Sequence, residues 1–381
     1  MIRLSRSILL AVPFFCITAA HAQRGESDLN IFGYFQVSLT HQATTDGDEK
    51  DNTFNIQQLN LFLQKDLGKR WTSLVNFELV NNFSSDKFWG AFNLEEAWVR
   101  YRASKEFNLK VGLQIPEFNH LNEINNRTPL LPYIVRPLVY ETSLNEIIAV
   151  EEYVPARAFV QTYGFVPTGQ TKIDYAVYVG NSPNVANRRT GQLNGVPHQT
   201  GVDTTATFLV GGRLGVRLGE LKVGVSGTYD RASFPTEFAD TLGVPVKTTQ
   251  ERPRTRFGAD ISHRVGRFTI ESEYIKVNYH VDIPQLGLQR EFYYGTLGYD
   301  LTERLFAYVS YWNTRDILVA KSGATDFGEN VEVEVPTAGA FYRVNDRISV
   351  KAQYAYVRVG INIPEVSSNF NHFGMAVSVF F

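Results

Sequence analysis

The connections along this chain sort by length. Long polar ones alternate with short ones rich in turn-forming residues, and few folds tolerate that pattern. The short connections cover residues 66–70, 103–106, 166–170, 219–220, 265–267, 302–304 and 345–347. The long ones cover 42–53, 82–90, 116–150, 181–205, 231–252, 281–288, 318–329 and 360–370. Eight long and seven short connections imply sixteen elements between them. Those elements carry a period of two. Phe107, Leu109, Val111, Leu113 and Ile115 share one face of a ribbon, and Asn108, Lys110, Gly112 and Gln114 share the other. Strand side chains alternate in this way, whereas a helix would scatter the same residues around its circumference. The pattern returns at Thr171–Val179, Leu221–Tyr229 and Arg347–Tyr354. A soluble sandwich would also alternate, but its loops would not sort so regularly by length. After the first residues no apolar run is long enough for a transmembrane helix, so a membrane can be crossed only with strands. Hydrocarbon offers no partner to an open sheet edge. The expected fold class is therefore all-β: a transmembrane antiparallel β-barrel of about sixteen strands, with short periplasmic turns and long external loops. Joining Leu29–His41 to Asn371–Phe381 closes it.

Residues 1–22 read as an export signal. Arg3 and Arg6 precede a short apolar stretch, Ile8–Ile17, and Ala20-His21-Ala22 supplies the small residues that signal peptidase requires. The mature barrel is then expected over 23–381. Cys16, the only cysteine, lies within that leader, which leaves no disulfide or thiolate metal site in the mature chain. The formal net charge is −2, and −4 once Arg3 and Arg6 are removed, a balance that argues against nucleic acid as a partner. With 27 Phe and 19 Tyr against only two Met, the composition suits a sheet that meets lipid on one face and water on the other. At the C-terminal end Phe373, Met375, Val377, Val379 and Phe381 alternate up to a final phenylalanine. That is the kind of pattern the outer-membrane barrel-assembly machinery reads. The expected location is the cell outer membrane, with lipid and lipopolysaccharide as neighbours.

Several stretches match a family loosely but along nearly the whole mature chain. They are Ala156–Gly164, Ile173–Val177 with Gly180 and Asn181, Phe292–Thr302, and the closing strand. Upstream, Val111–Pro116 leads into the long 116–150 connection. In these residues the chain resembles the phosphate-selective porins O and P and their relatives. The resemblance implies a trimeric, 16-stranded channel whose long connection folds into the lumen. Phosphate selectivity is not carried over, because such porins line the pore with rows of Arg and Lys and this mature chain is net acidic.

Parity selects the residues that would meet solutes. If Ala97, Val99 and Tyr101 face lipid, then Glu96, Arg100 and Arg102 face the lumen. By the same count Lys110, Asp174, Arg213, Arg217 and Lys222 point inward. Mixed signs across a lumen suggest a transverse field that orients polar solutes, since pore selectivity follows diameter and inward charge. The segment 116–150 contains Leu130, Leu131, Tyr133, Ile134 and Val135, which a solvated loop would not favour. It is expected either to fold inward as a constriction, bringing Glu117, Glu123, Arg127, Arg136 and Glu141 to the narrowest point, or to clasp a neighbouring subunit. The His residues beyond the leader lack paired metal-ligand spacing, and no Gly-x-Ser-x-Gly elbow appears, so neither metal, cofactor nor catalytic residue is expected. Asp46, Asp48, Glu49 and Asp51 read as a solvated acidic loop. The expected function is a water-filled channel for passive diffusion of small hydrophilic solutes or ions, anions among them, in a homotrimer. A non-conducting barrel with a structural or adhesive role is the alternative, and a barrel lipase a more distant one. Parity falters at Ile56–Leu59, which suggests a bulge, and between Tyr274 and Ile275, which suggests a second break.

Overall fold

A computed structural model describes residues 29–44, 50–80, 91–124, 127–141, 157–182, 192–193, 196–197, 207–233, 251–280, 286–322, 325–362 and 365–381. The expected export segment 1–22 and the acidic loop residues Asp46, Asp48 and Glu49 lie outside these. The strands in chain order are β1 (Asn30–Thr44), β2 (Lys50–Asp66), β3 (Trp71–Val80), β4 (Ala91–Arg102), β5 (Asn108–Gln114), β6 (Arg157–Thr168) and β7 (Thr171–Gly180). A two-residue hairpin, β8 (Gln192–Leu193) and β9 (Val196–Pro197), stands apart. Then follow β10 (Leu209–Leu218), β11 (Leu221–Ser233), β12 (Glu251–Val265), β13 (Phe268–Tyr279), β14 (Leu286–Asp300), β15 (Leu305–Ser322), β16 (Thr325–Arg343), β17 (Ile348–Asn362) and β18 (Glu365–Phe380).

Apart from β8 and β9, each strand pairs antiparallel with its neighbours in sequence, and β1 pairs with β18, which closes a barrel of sixteen strands. The seam runs from Tyr34 opposite Phe380 to Thr44 opposite Phe370, and Gly33 and Phe381 exchange backbone hydrogen bonds of 3.0 Å at its foot. Closure leaves no ladder edge without a partner, which is the condition for a sheet in hydrocarbon. Outward positions carry the apolar set, for example Val99, Val111, Val177, Leu214, Val225, Leu297 and Met375, all of them exposed. Aromatic pairs, Trp71 on Tyr101 and Phe268 on Tyr299 (both 4.8 Å between centroids), stand at the short-turn end. Two-residue turns there place Gly219 and Gly266 at φ 58° and 59°, a left-handed conformation that glycine adopts without strain.

Strand ends differ from the sequence reading in an instructive way. Two of the expected long loops, 318–329 and 360–370, are largely strand. Only residues 323–324 separate β15 from β16, and only 363–364 separate β17 from β18. β14 likewise begins at Leu286, inside the expected loop 281–288. The count of sixteen survives because a hairpin counts the same whether its tip is short or long.

The bulge expected near Ile56–Leu59 is present. The register of β2 against β1 shifts between Gln36 and Val37, leaving Gln57 as the extra residue. A second shift, between Asn76 and Phe77, leaves Glu95 extra in β4; sequence parity gave no sign of it. The break expected between Tyr274 and Ile275 is absent. Register through β13 is continuous on both sides, and Glu273, Ile275, Val277 and Tyr279 all point inward. Inward does not mean wet on this strand. Along the upper parts of β13–β17 the polarity is inverted, with apolar side chains inside and an outward row of cross-strand ion pairs. These are Lys276–Glu291 at 3.0 Å, Arg315–Glu332 at 2.7 Å and Arg358–Glu334 at 3.8 Å.

Candidate permeation site in the barrel lumen

After β5 the chain leaves the wall and enters the barrel, where residues 115–124 and 127–141 form a strap whose described residues include three single 3-10 turns. Asn119, at φ 54°, makes the first bend, a left-handed position that Asn tolerates better than most residues. Phe118, Leu121, Leu131, Tyr133, Val135, Leu138, Val139 and Tyr140 are buried in one cluster with wall residues. Ile275, Val277, Phe292, Tyr294, Trp312, Val333, Val335 and Ala355 supply most of that wall, and Phe159, Tyr178 and Leu209 extend it across β6, β7 and β10. Tyr133 meets Tyr308 edge-on at 5.1 Å and Trp312 at 6.2 Å, a geometry aromatic rings prefer.

Polar side chains of the wall satisfy the strap's backbone. Glu273 accepts from Leu121 N–H and from the Tyr140 hydroxyl, both at 2.7 Å. Gln353 accepts from Ile134 N–H (2.5 Å) and Val135 N–H (2.8 Å) and donates to the Val135 carbonyl (2.9 Å). Lys351 donates to the Thr128 carbonyl and to Gln36, each at 2.8 Å. On the other side Gln58 accepts from Thr128 N–H at 3.2 Å, and Gln57 donates to the Ile134 carbonyl at 2.7 Å. The β2 bulge is what turns Gln57 inward, a common use of bulges. Buried backbone polar groups require such partners, so the strap is a built part of the barrel.

Charge collects toward the short-turn end of β4–β12. Arg213 donates to Asp174 at 2.8 Å and to Asp260 at 2.6 Å, while Arg217 donates to the other oxygen of Asp174 at 2.8 Å. Lys222 stands opposite Arg217 in the ladder. Glu96 is buried and pairs with Arg127 of the strap at 3.3 Å. Lys110 pairs with Glu123 of the strap at 3.5 Å. Arg100 lies 5.7 Å from the Trp98 ring centre, and Arg102 is exposed at the strand end. Higher in the wall Asp230 receives Arg254 at 2.6 Å and Arg256 at 3.1 Å, all three fully buried. Of the five strap charges, Glu117, Glu123 and Arg127 face the charged arc. Arg136 and Glu141 are buried and engage each other, with Glu141 accepting from Arg136 N–H at 2.7 Å.

Glu117 exchanges hydrogen bonds with Gln161 at 3.2 and 3.3 Å. Burial, with Glu123 as the next cause, pushes its carboxyl up to about 8, against the pull of Lys110 and Arg213. A raised carboxyl keeps its proton in the fold, so it opposes stability as pH rises from the ordinary carboxylate range toward 8. For transport, ionising Glu117 adds a negative charge beside the arc. The zero-current potential in a salt gradient is expected to move toward cations between about pH 7 and 9, and E117Q to remove most of the shift. An unchanged potential across that range in a conducting protein refutes this.

The residues that hold the strap, Gln57, Gln58, Gln353 and Lys351, were largely invisible in the sequence. Two signals were present: the parity break at Ile56–Leu59 marked Gln57, and strand parity placed Lys351 inward, though neither pointed to a strap.

No protein-family model and no curated protein sequence matches this chain. Solved structures share its fold. The anion-selective porin from Comamonas acidovorans superposes with a TM-score of 0.61 at 11% identity, covering 93% of this chain and 100% of that one. The outer membrane channel DcaP of Acinetobacter baumannii gives 0.60 at 10% identity, covering 93% and 97%. OmpT, an outer membrane protein of Vibrio cholerae, in its trimer form gives 0.56 at 12% identity, covering 93% and 99%. At such identities the likeness concerns the fold. The chain has the closed 16-stranded architecture of outer-membrane barrels and porins.

Proposed function

We propose that this barrel is an outer-membrane porin, a passive channel for small hydrophilic solutes and ions, with the strap of residues 115–141 as its constriction. The observation that carries the reading is how the lumen is divided. The strap packs its apolar side chains against β13–β17, while Lys110, Asp174, Arg213, Arg217 and Lys222 line the opposite arc. Side chains on both sides of the gap reach solvent: Arg217 of the arc is 47% exposed and Glu123 of the strap 42%. Inward charge beside a narrowing is what gives a pore its selectivity. Arg100, Arg102 and Glu96 belong to the same lining. The mixed signs favour orientation of polar solutes, with anions among them. The resemblance to the phosphate-selective O and P porins is consistent with this role. Export by residues 1–22, assembly through the terminal alternation Phe373–Phe381, contact with lipopolysaccharide and a homotrimer complete the proposal, the last supported by the trimeric form of one structural neighbour.

A second reading has an observation of its own. The strap is held from both sides, by Gln58 and Glu96 as well as by Glu273 and Gln353. Such a span suits a plugged, structural barrel. Planar-bilayer recording separates the two readings. Stable open steps occurring in groups of three are expected, and a folded barrel that never conducts overturns the channel reading. A barrel lipase is not part of this proposal.

A further inference from the structure

We propose that the lumen around Trp98, Arg100, Lys110 and Tyr163 is a binding subsite for an organic monocarboxylate; the inference rests on the channel reading and gives it a ligand class. Arg100 of β4 and Lys110 of β5 are direct cross-strand partners, both facing inward. Like charges placed so destabilise a sheet unless something lies between or beside them. Arg100 has no carboxylate partner among the described residues, and neither its Nε–H nor the indole N–H of Trp98 has an acceptor. Both cations sit by aromatic rings: Arg100 is 5.7 Å from Trp98, and Lys110 is 5.6 Å from Trp98 and 5.8 Å from Tyr163. The neighbouring arginines are different. Arg213 already has two carboxylates and Arg217 has one.

Charge and shape select the ligand. Below about pH 8, where Glu117 keeps its proton, two cations face one ionised carboxylate, that of Glu123 on Lys110 at 3.5 Å, which leaves one positive charge in excess and suits a monoanion. A guanidinium presents paired N–H donors that match the two oxygens of a carboxylate. Trp98 and Tyr163, each half-buried, offer ring surface to an organic body. A phosphate dianion would bring more charge than the site neutralises and more acceptor oxygens than it can engage.

Titration calorimetry on the detergent-solubilised full-length mature barrel tests this at low ionic strength, with benzoate, acetate and inorganic phosphate as probes. Benzoate is expected to bind more tightly than acetate, and both more tightly than phosphate. R100Q is expected to weaken benzoate by roughly tenfold or more, the effect of losing a charge-assisted pair of hydrogen bonds. R100K, which keeps the charge and the cross-strand repulsion but not the fork, is expected to lose several-fold, and heat-modifiable gel migration identifies the folded variants. W98A is expected to remove the preference for benzoate over acetate. Phosphate binding more tightly than benzoate, no binding of either carboxylate, or benzoate affinity unchanged in folded R100Q or R100K would overturn the inference. The measurement needs no current, so a barrel that binds benzoate but fails to conduct would sink the channel reading and leave the subsite standing.

Discussion

Replacing Arg213 and Arg217 together with glutamate is expected to move the zero-current potential in a salt gradient strongly toward cations. In the native arc two guanidiniums meet Asp174 and Asp260, and the group is close to neutral. The double variant turns it into four carboxylates, a swing of four charges at one level of the lumen. Confined fields of one sign change the local concentration of permeant ions by roughly tenfold or more, and the preference for chloride over potassium is expected to fall on that scale. The effect should be largest at low salt, because the screening length shrinks from about 10 Å at 0.1 M to about 3 Å at 1 M. R213Q with R217Q is expected to give a smaller shift of the same sign. A conducting double variant whose potential does not move would place both side chains off the route of the ions. Arg213 is mostly buried in its pairs, so its loss should also lower stability, by about 3–5 kcal/mol where a buried partner is stranded. Heat-modifiable gel migration is the check that the barrel has formed.

How far such residues could be found from the sequence depended on which physical rule governed them. The wall followed the strand period. From Val210, Leu214 and Val216 outward it is one step to Arg213 and Arg217 inward, and the ladder of β10 agrees. Closure followed from edge satisfaction, and Tyr34 does pair with Phe380. The rule failed where its premise failed. On β13 the inward residues Ile275, Val277 and Tyr279 are apolar because the strap, not water, covers them. A single strand does not carry that information, since the cause is a segment more than a hundred residues earlier in the chain. The apolar run Leu130–Val135 indicated burial, either inward or against a neighbouring subunit, and all of it but Leu130 and Pro132 is buried within the barrel. Its docking on β13–β17, and the pairing of Arg136 with Glu141 away from the charged arc, depend on shape complementarity that a period cannot express. Strand ends were the least legible part, because residues 318–322, 325–329 and 365–370 continue the ladder although their sequence reads as polar loop.

The strap's mobility should be set by two side chains. Glu273 accepts from both ends of its inner course, at Leu121 and Tyr140, and Gln353 holds its middle at Ile134 and Val135. Changing both to alanine strands three backbone N–H groups, one hydroxyl and the Val135 carbonyl, each at a cost on the order of 1–3 kcal/mol if left buried and unpaired. The segment lowers that cost by leaving its seat, whereas the sixteen-strand ladder loses no hydrogen bond of its own. Local release without global unfolding is therefore the expected outcome. Limited proteolysis should cut the double variant within residues 121–141 under conditions that spare the parent protein. Single-channel steps should become larger and noisy as the strap swings in and out of the lumen. The apolar cluster opposes this release, because Tyr133, Leu138 and their neighbours would be exposed to water. The balance decides between hinge and plug. If the double variant keeps quiet steps and resists the protease, these two clamps are dispensable, and the apolar packing with the contacts of Gln57, Gln58 and Lys351 fixes the strap.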